Sequence, residues 1–217
     1  MSKARRLLHQ LLYVVNRNTY RRRRCVCRRH AVAGRGCIKT PTAIRTNKEH
    51  HRQLFDVEGV PMLDDDGLPL DDVGPWAKEK HQRLRRYLDI SRAARRKWVQ
   101  GTGGATYVDL YCGTGRAIIR DTDEKVDGSP LVAFKCARDG GVPFSKIYIA
   151  DAIAERCSAA EQRIISLGES PLTEVGPAEE TARRIVKQLN PYGLHFAFLD
   201  PYNLQDLPFS ASKRSVV

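Results

Sequence analysis

Three stretches of this chain combine residue types that could hold a ligand and act on it. In the first, the apolar run Ala105–Tyr111 ends in Cys112-Gly113-Thr114-Gly115, with Asp109 four residues before Gly113. A strand that runs straight into a glycine turn lets the backbone approach a ligand closely, because glycine accepts positive φ and offers no Cβ to collide with a nucleoside. The third glycine that a dinucleotide pyrophosphate requires is missing, so the pattern favours a nucleoside without a diphosphate and disfavours a nicotinamide-dependent oxidoreductase. In the second stretch, Lys146-Ile147-Tyr148-Ile149-Ala150 ends at Asp151. An acid at the carboxyl end of the second strand of a doubly wound sheet can accept hydrogen bonds from ribose hydroxyls. In the third, His195–Leu199 ends at Asp200-Pro201-Tyr202, which on residue types alone reads as a turn leaving a strand.

The elements between these stretches alternate. From Trp76 to Val99, Leu84, Tyr87, Leu88, Ser91, Ala94 and Trp98 recur at three and four residues, with Pro75 at the entrance, which predicts one long amphipathic helix. Its other face carries nine Lys+Arg against Glu79 and Asp89, suited either to solvent or to a polyanion. Ser129 and Pro130 open a helix over 130–137. A further helix spans 152–167, with Ile153, Cys157, Ala160, Ile164 and Leu167 on one side. Leu172–Val175 follows as a short strand. The next helix, 178–189, has Glu179 and Glu180 in its first turn and Arg183, Arg184 and Lys187 later, the order its dipole favours. Strand and helix in alternation predict an α/β, Rossmann-like, doubly wound parallel sheet over residues 75–217.

The 217 residues, 41% of them hydrophobic, hold 37 Lys+Arg and 25 Asp+Glu, a formal charge of +12. Residues 1–50 contain 14 of the basic residues and the single acid Glu49, so the pI describes an extension and not the folded part. Arg21–Arg24 with Arg28 and Arg29 could contact phosphates, or be solvated only. Apart from one short helix around Leu7, Leu8, Leu11, Leu12 and Val15, residues 1–55 are expected to be a basic, largely disordered extension. Cys25, Cys27, His30 and Cys37 lack the paired knuckles of a structural zinc site, and no metal is expected. Residues 56–74 carry seven acids without Lys or Arg before position 74 and read as an acidic linker. No run approaches the roughly 20 apolar residues that cross a bilayer. The N-terminus lacks the pattern of a secretory signal, so the expected compartment is the cytoplasm.

Taken in order, VDLYCGTG, DGSPLVAF, IYIAD and FAFLDPYNLQDLPF resemble the three-Cys-motif partner proteins, a bacterial family related to class I S-adenosylmethionine-dependent methyltransferases. The resemblance covers about residues 70–209, and DDVGPWAKEKHQRLRRYL is similar to the family's opening segment. It implies S-adenosylmethionine as cofactor, held by Asp109, Cys112, Gly113, Thr114 and Gly115, with Asp151 on the ribose. Asp200-Pro201-Tyr202 resembles the Asp-Pro-Pro-Tyr type motif of amino methyltransferases. Asp200 would then orient the acceptor amine through hydrogen bonds, with the Pro201 backbone beside it and the Tyr202 ring as a stacking platform. Here only one proline is present, and Val175-Gly176-Pro177-Ala178 lacks the acid that the family sets against adenine. A three-Cys-motif protein is the implied partner, with nucleic acid a second candidate. A methyltransferase sheet of this class has seven strands. With the fourth at 195–199, an incomplete sheet is expected, truncated at the C-terminus and with an uncovered edge beyond that strand. The rival reading is a non-catalytic, degenerate Rossmann-like module that binds nucleic acid or a partner protein.

Overall fold

The computed structural model describes residues 11–15 and 62–201. The basic extension outside Leu11–Val15, its cysteines and His30, the Arg21–Arg24 run and Tyr202 lie outside the described residues.

The main sheet has five strands, all parallel: β1 (Leu11–Val15), β3 (Ala105–Asp109), β6 (Lys146–Asp151), β7 (Leu172–Val175) and β8 (Leu194–Leu199). Their spatial order is β1-β8-β3-β6-β7. A second sheet joins β2 (Asp71–Val73), β4 (Arg116–Ile119) and β5 (Lys125–Asp127). The helices are α1 (Trp76–Ile90), α2 (Arg92–Val99), α3 (Ser129–Asp139), α4 (Ala154–Ile165) and α5 (Ala178–Gln188).

Alternation along the strands creates two cores. Ala105, Tyr107, Ile147, Ile149, Phe196 and Phe198 point to one face, where they pack with Leu84 and Leu88 of α1, Leu131–Phe134 of α3 and Cys157, Ala160 and Ile164 of α4. Their neighbours Val108, Tyr148, Ala150, Ala197 and Leu199 point the other way, against Ile185 of α5 and Leu189. Helices thus cover both faces, as the continuous apolar strands require. Leaving β3, the chain adds β6 and β7 on one side and then returns to place β8 on the other. The sheet therefore reverses direction between β3 and β8, and the crevice outside their carboxyl ends is the switch point of an open α/β sheet.

Five expectations change. Leu11–Val15 is a strand and not a helix: it pairs in parallel with β8, Leu11 opposite His195 through Val15 opposite Leu199. A five-residue apolar run fits either period, and here the ladder offered by β8 decides. β8 is therefore an inner strand, so the edge expected to lie uncovered is covered. Residues 62–74 are packed on the domain: Leu63 bridges Pro69, and β2 pairs with β4. The long helix is two, α1 and α2, parted at Ser91, where Ser91 Oγ and Arg95 Nη1 both donate to Leu88 O. Arg95, counted with the solvated basic face, is buried: its Nε donates to Val142 O at 2.7 Å and its guanidinium lies over the Phe144 ring. The hairpin β4–β5 was not expected, because its strands are short and separated by Asp121, Asp123 and Glu124.

The acidic segment is tied down by Arg163 of α4, itself 4% exposed. Arg163 meets both oxygens of Asp66, at 2.7 and 2.9 Å, and donates to Pro69 O and Thr114 O. Asp64, also buried, pairs with Arg116 and Lys125 at 2.6 Å each. No helix among the described residues is long and apolar enough to cross a membrane. Arg163→Met should lower stability by about 3–5 kcal/mol, since it leaves carbonyls and a carboxylate unpaired. Equilibrium denaturation by urea checks this, and a loss below about 1 kcal/mol would make the clamp incidental.

Candidate functional site

The carboxyl ends of β3, β6 and β8 bring Asp109, the glycine turn, Asp151 and Asp200 to one edge of the sheet. Each has a distinct environment.

Asp109, the last residue of β3, is completely buried. It accepts hydrogen bonds from Tyr107 Oη at 3.0 Å and from the Tyr111 amide at 3.1 Å, and a further one from the Ser129 side chain. Burial pushes its pKa up to about 6 against these bonds, and the nearby Asp200 charge adds to the rise. Sequence reasoning put Asp109 against the ligand. The structure places it beneath the turn, where it holds the backbone leaving β3.

The turn itself has Gly113 and Gly115 at positive φ, +58° and +84°. Room for a ligand was the expected use of their missing Cβ atoms. A Cβ on Gly113 would instead meet Asp71 Oδ2 at 2.4 Å, and one on Gly115 would lie 3.1 Å from Ala160 Cα of α4. Both glycines therefore admit parts of the chain itself. Gly113 stays half-buried, whereas Cys112, Thr114 and Gly115 are buried. Cys112 has its thiol held well above the usual range by its hydrogen bond with Cys157 and by burial, which makes it a poor nucleophile. The Thr114 hydroxyl donates to Arg116 O at 2.6 Å.

Two turn amides are taken by carboxylates. Gly113 N donates to Asp151 Oδ2 at 3.2 Å, and Thr114 N donates to Asp71 Oδ2 at 2.8 Å. Asp151 also accepts from Ile153 N through Oδ1, and burial raises its pKa, with the Arg156 charge acting against the rise. Asp71 Oδ1 lies 3.5 Å from Arg156 Nε, and neither atom has a hydrogen-bond partner although both are buried. Asp71 was not foreseen: one acid among seven in 56–72, it is marked only by the register of β2, which sequence did not reveal.

Asp200 follows β8 directly. Its Oδ2 receives the Lys80 ammonium of α1 at 2.6 Å, in a contact where both side chains are mostly buried. Pro201 is buried. α1, β5 and α3 border a groove of about 370 Å³ lined by Lys78, His81, Gln82, Arg85, Val126, Asp127 and Val132. It contains no sequence-predicted site residue, and burial pushes His81 down to about 3, so its imidazole is neutral there. Among the described residues no three His, Cys, Asp or Glu side chains are grouped to hold a metal ion.

No protein-family model, curated protein or solved structure matches the chain.

The Asp109 environment has a pH signature. Its folded pKa lies above the usual 3.8, so between about pH 4 and 6 the folded state keeps a proton that the unfolded chain has released. The stability this carboxyl contributes is full below pH 4 and declines as pH rises through 6, by about 3 kcal/mol in all. Asp109→Asn does not titrate, so wild-type stability minus variant stability should fall across pH 4–7 in urea unfolding. A difference independent of pH would contradict the assignment.

Proposed function

We propose that the chain is a three-Cys-motif partner protein, a bacterial class I methyltransferase-like fold that binds S-adenosylmethionine and transfers its methyl group to an acceptor at Asp200. The observation that carries this reading is the placement of the glycine turn, Asp151 and Asp200 on the carboxyl edge of one parallel sheet, beside its switch point. Ligands of open α/β sheets lie in that crevice. Fold alone leaves the chemistry open, so the family resemblance supplies the cofactor and these residues supply its fit.

The fit falls on fewer residues than the motif. Gly113 is the accessible part of the turn, and Asp151 sits beside it. Each Asp151 oxygen accepts one backbone hydrogen bond, which leaves lone pairs for ribose hydroxyls. Asp109, Cys112, Thr114 and Gly115 shape the turn from below. When bound, S-adenosylmethionine supplies an electrophilic methyl group on a sulfonium. The chain's part is to exclude water and orient the acceptor, which for an amine means accepting its hydrogen bonds at Asp200. Lys80 fills that role now, so an acceptor amine must displace its ammonium. The cytoplasm is the proposed compartment and a three-Cys-motif protein the proposed partner.

A second reading, a non-catalytic module on nucleic acid, draws on α1 and α2. Arg85, Arg86, Arg92, Arg96 and Lys97 are exposed there, and among the described residues none has an ion-pair partner. Thermal unfolding of the full chain separates the two. S-adenosylmethionine should raise the midpoint, and Asp151→Ala should abolish the rise, because a ligand bound only by the folded state stabilises it. A midpoint indifferent to the cofactor but raised by an oligonucleotide, and less so at high salt, would replace the first reading by the second.

A further inference from the structure

Backbone amides in a glycine turn are the groups that cradle a phosphate, because several of them converge and no side chain intervenes. Here two of them are already engaged by carboxylates of the chain, Gly113 N by Asp151 and Thr114 N by Asp71. The Thr114 hydroxyl also reaches Asp71 Oδ2, at 3.2 Å. Asp71 lies so close over Gly113 that a Cβ there would strike its Oδ2. It is not a loose side chain: Asp71 is opposite Ala117 in the β2–β4 ladder, and Val73 O accepts the Arg120 amide. Behind it stands Arg156, whose side chain is 12% exposed and whose Nε has no hydrogen-bond partner.

From this geometry we infer that Asp71 is a resident anion that sets the ligand specificity of the glycine turn: it keeps phosphate-bearing ligands out and leaves the turn to a ligand presenting a cationic group. A phosphate seated on the turn would have to lie against the Asp71 carboxylate and compete with it for the Thr114 amide. A cation meets the opposite condition, because the Asp71 carboxylate that lies over Gly113 attracts it, while Oδ1 stays buried beside Arg156 Nε at 3.5 Å. Removing the carboxylate reverses the preference. The Thr114 amide and the Arg156 guanidinium then face the vacated space together, and a buried guanidinium without a carboxylate favours an anion. That the admitted cation is a sulfonium nucleoside rests on the methyltransferase reading. The exclusion of phosphate does not.

The test is thermal unfolding of the full chain with inorganic pyrophosphate or S-adenosylmethionine, for the wild type, Asp71→Ala, Asp71→Asn and the double variant Asp71→Ala/Arg156→Gln. Pyrophosphate should leave the wild-type midpoint unchanged and raise that of Asp71→Ala by about 5–10 °C at a concentration about a hundredfold above its Kd. Asp71→Asn, which keeps the shape and loses the charge, should shift in the same direction and carries the test if the alanine variant does not fold. The double variant should lose the gain, which separates the turn from the basic N-terminal residues. A merely structural Asp71 predicts lower midpoints in both single variants with no gain from pyrophosphate, and that result overturns the proposal. So does a wild-type midpoint raised as much as that of the variants. Gain of pyrophosphate binding together with no response of the wild type to S-adenosylmethionine would sustain the role of Asp71 and remove the methyltransferase reading alone.

Discussion

A single buried guanidinium organises the edge of the sheet where the candidate site lies. Arg163, on α4, meets Asp66 in two hydrogen bonds and takes the carbonyls of Pro69 and Thr114. It thereby joins three parts of the chain, the acidic turn before β2, the glycine turn after β3, and a helix packed on the main sheet. Leaving such a cation unpaired in the interior costs several kcal/mol, so the acidic segment and the glycine turn are held in place together. Asp71 then reaches the Thr114 amide without any contact of Arg163 to Asp71 itself. The position of β2, and with it the second sheet, follows from that clamp.

The electrostatics of the edge follow from the same arrangement. Asp71, Asp109, Asp151 and Asp200 gather at or near the carboxyl ends of the strands, and each is balanced differently. Asp109 is balanced by hydrogen bonds and a raised pKa, Asp71 and Asp151 by turn amides with Arg156 near both, and Asp200 by Lys80. Of these, Asp200 is held by a side chain on a separate helix, and that contact must open before Asp200 can serve a substrate. The others belong to the framework of the turn. A site built in this way suits a ligand that carries positive charge and no phosphate at the turn, which agrees with the absence of a third glycine.

Much of the main sheet was legible in the sequence. β3, β6 and β8 are short apolar runs ending in turn residues, and α4 and α5 have a clear helical period, so their order and approximate bounds could be read. β1 was misread because Leu11–Val15 is too short for its period to separate strand from helix, and its partner lies more than 170 positions away in the chain. The second sheet was invisible: its strands have three or four residues, and Asp71 and Asp72 look like surface acids until β4 is beside them. Arg95 and Arg163 were hidden for a related reason. Arginine on a helix reads as solvated, and only tertiary structure supplies the carbonyls and carboxylates that let it be buried. At the site, the positions of Gly113 and Asp151 were legible from strand ends, whereas the contacts that occupy them were not.

The glycine-turn amides are engaged by the chain's own carboxylates. Hydrogen exchange on the full chain, followed by mass spectrometry over a fragment spanning Leu110–Arg116, addresses this directly. With Cys112 N bonded to Ala150 O, Gly113 N to Asp151 and Thr114 N to Asp71, three consecutive amides should exchange slowly, and Asp71→Ala should speed the exchange of about one of them. Exchange of Gly113 and Thr114 at the rate of an open loop, while β6 remains protected, would contradict the account.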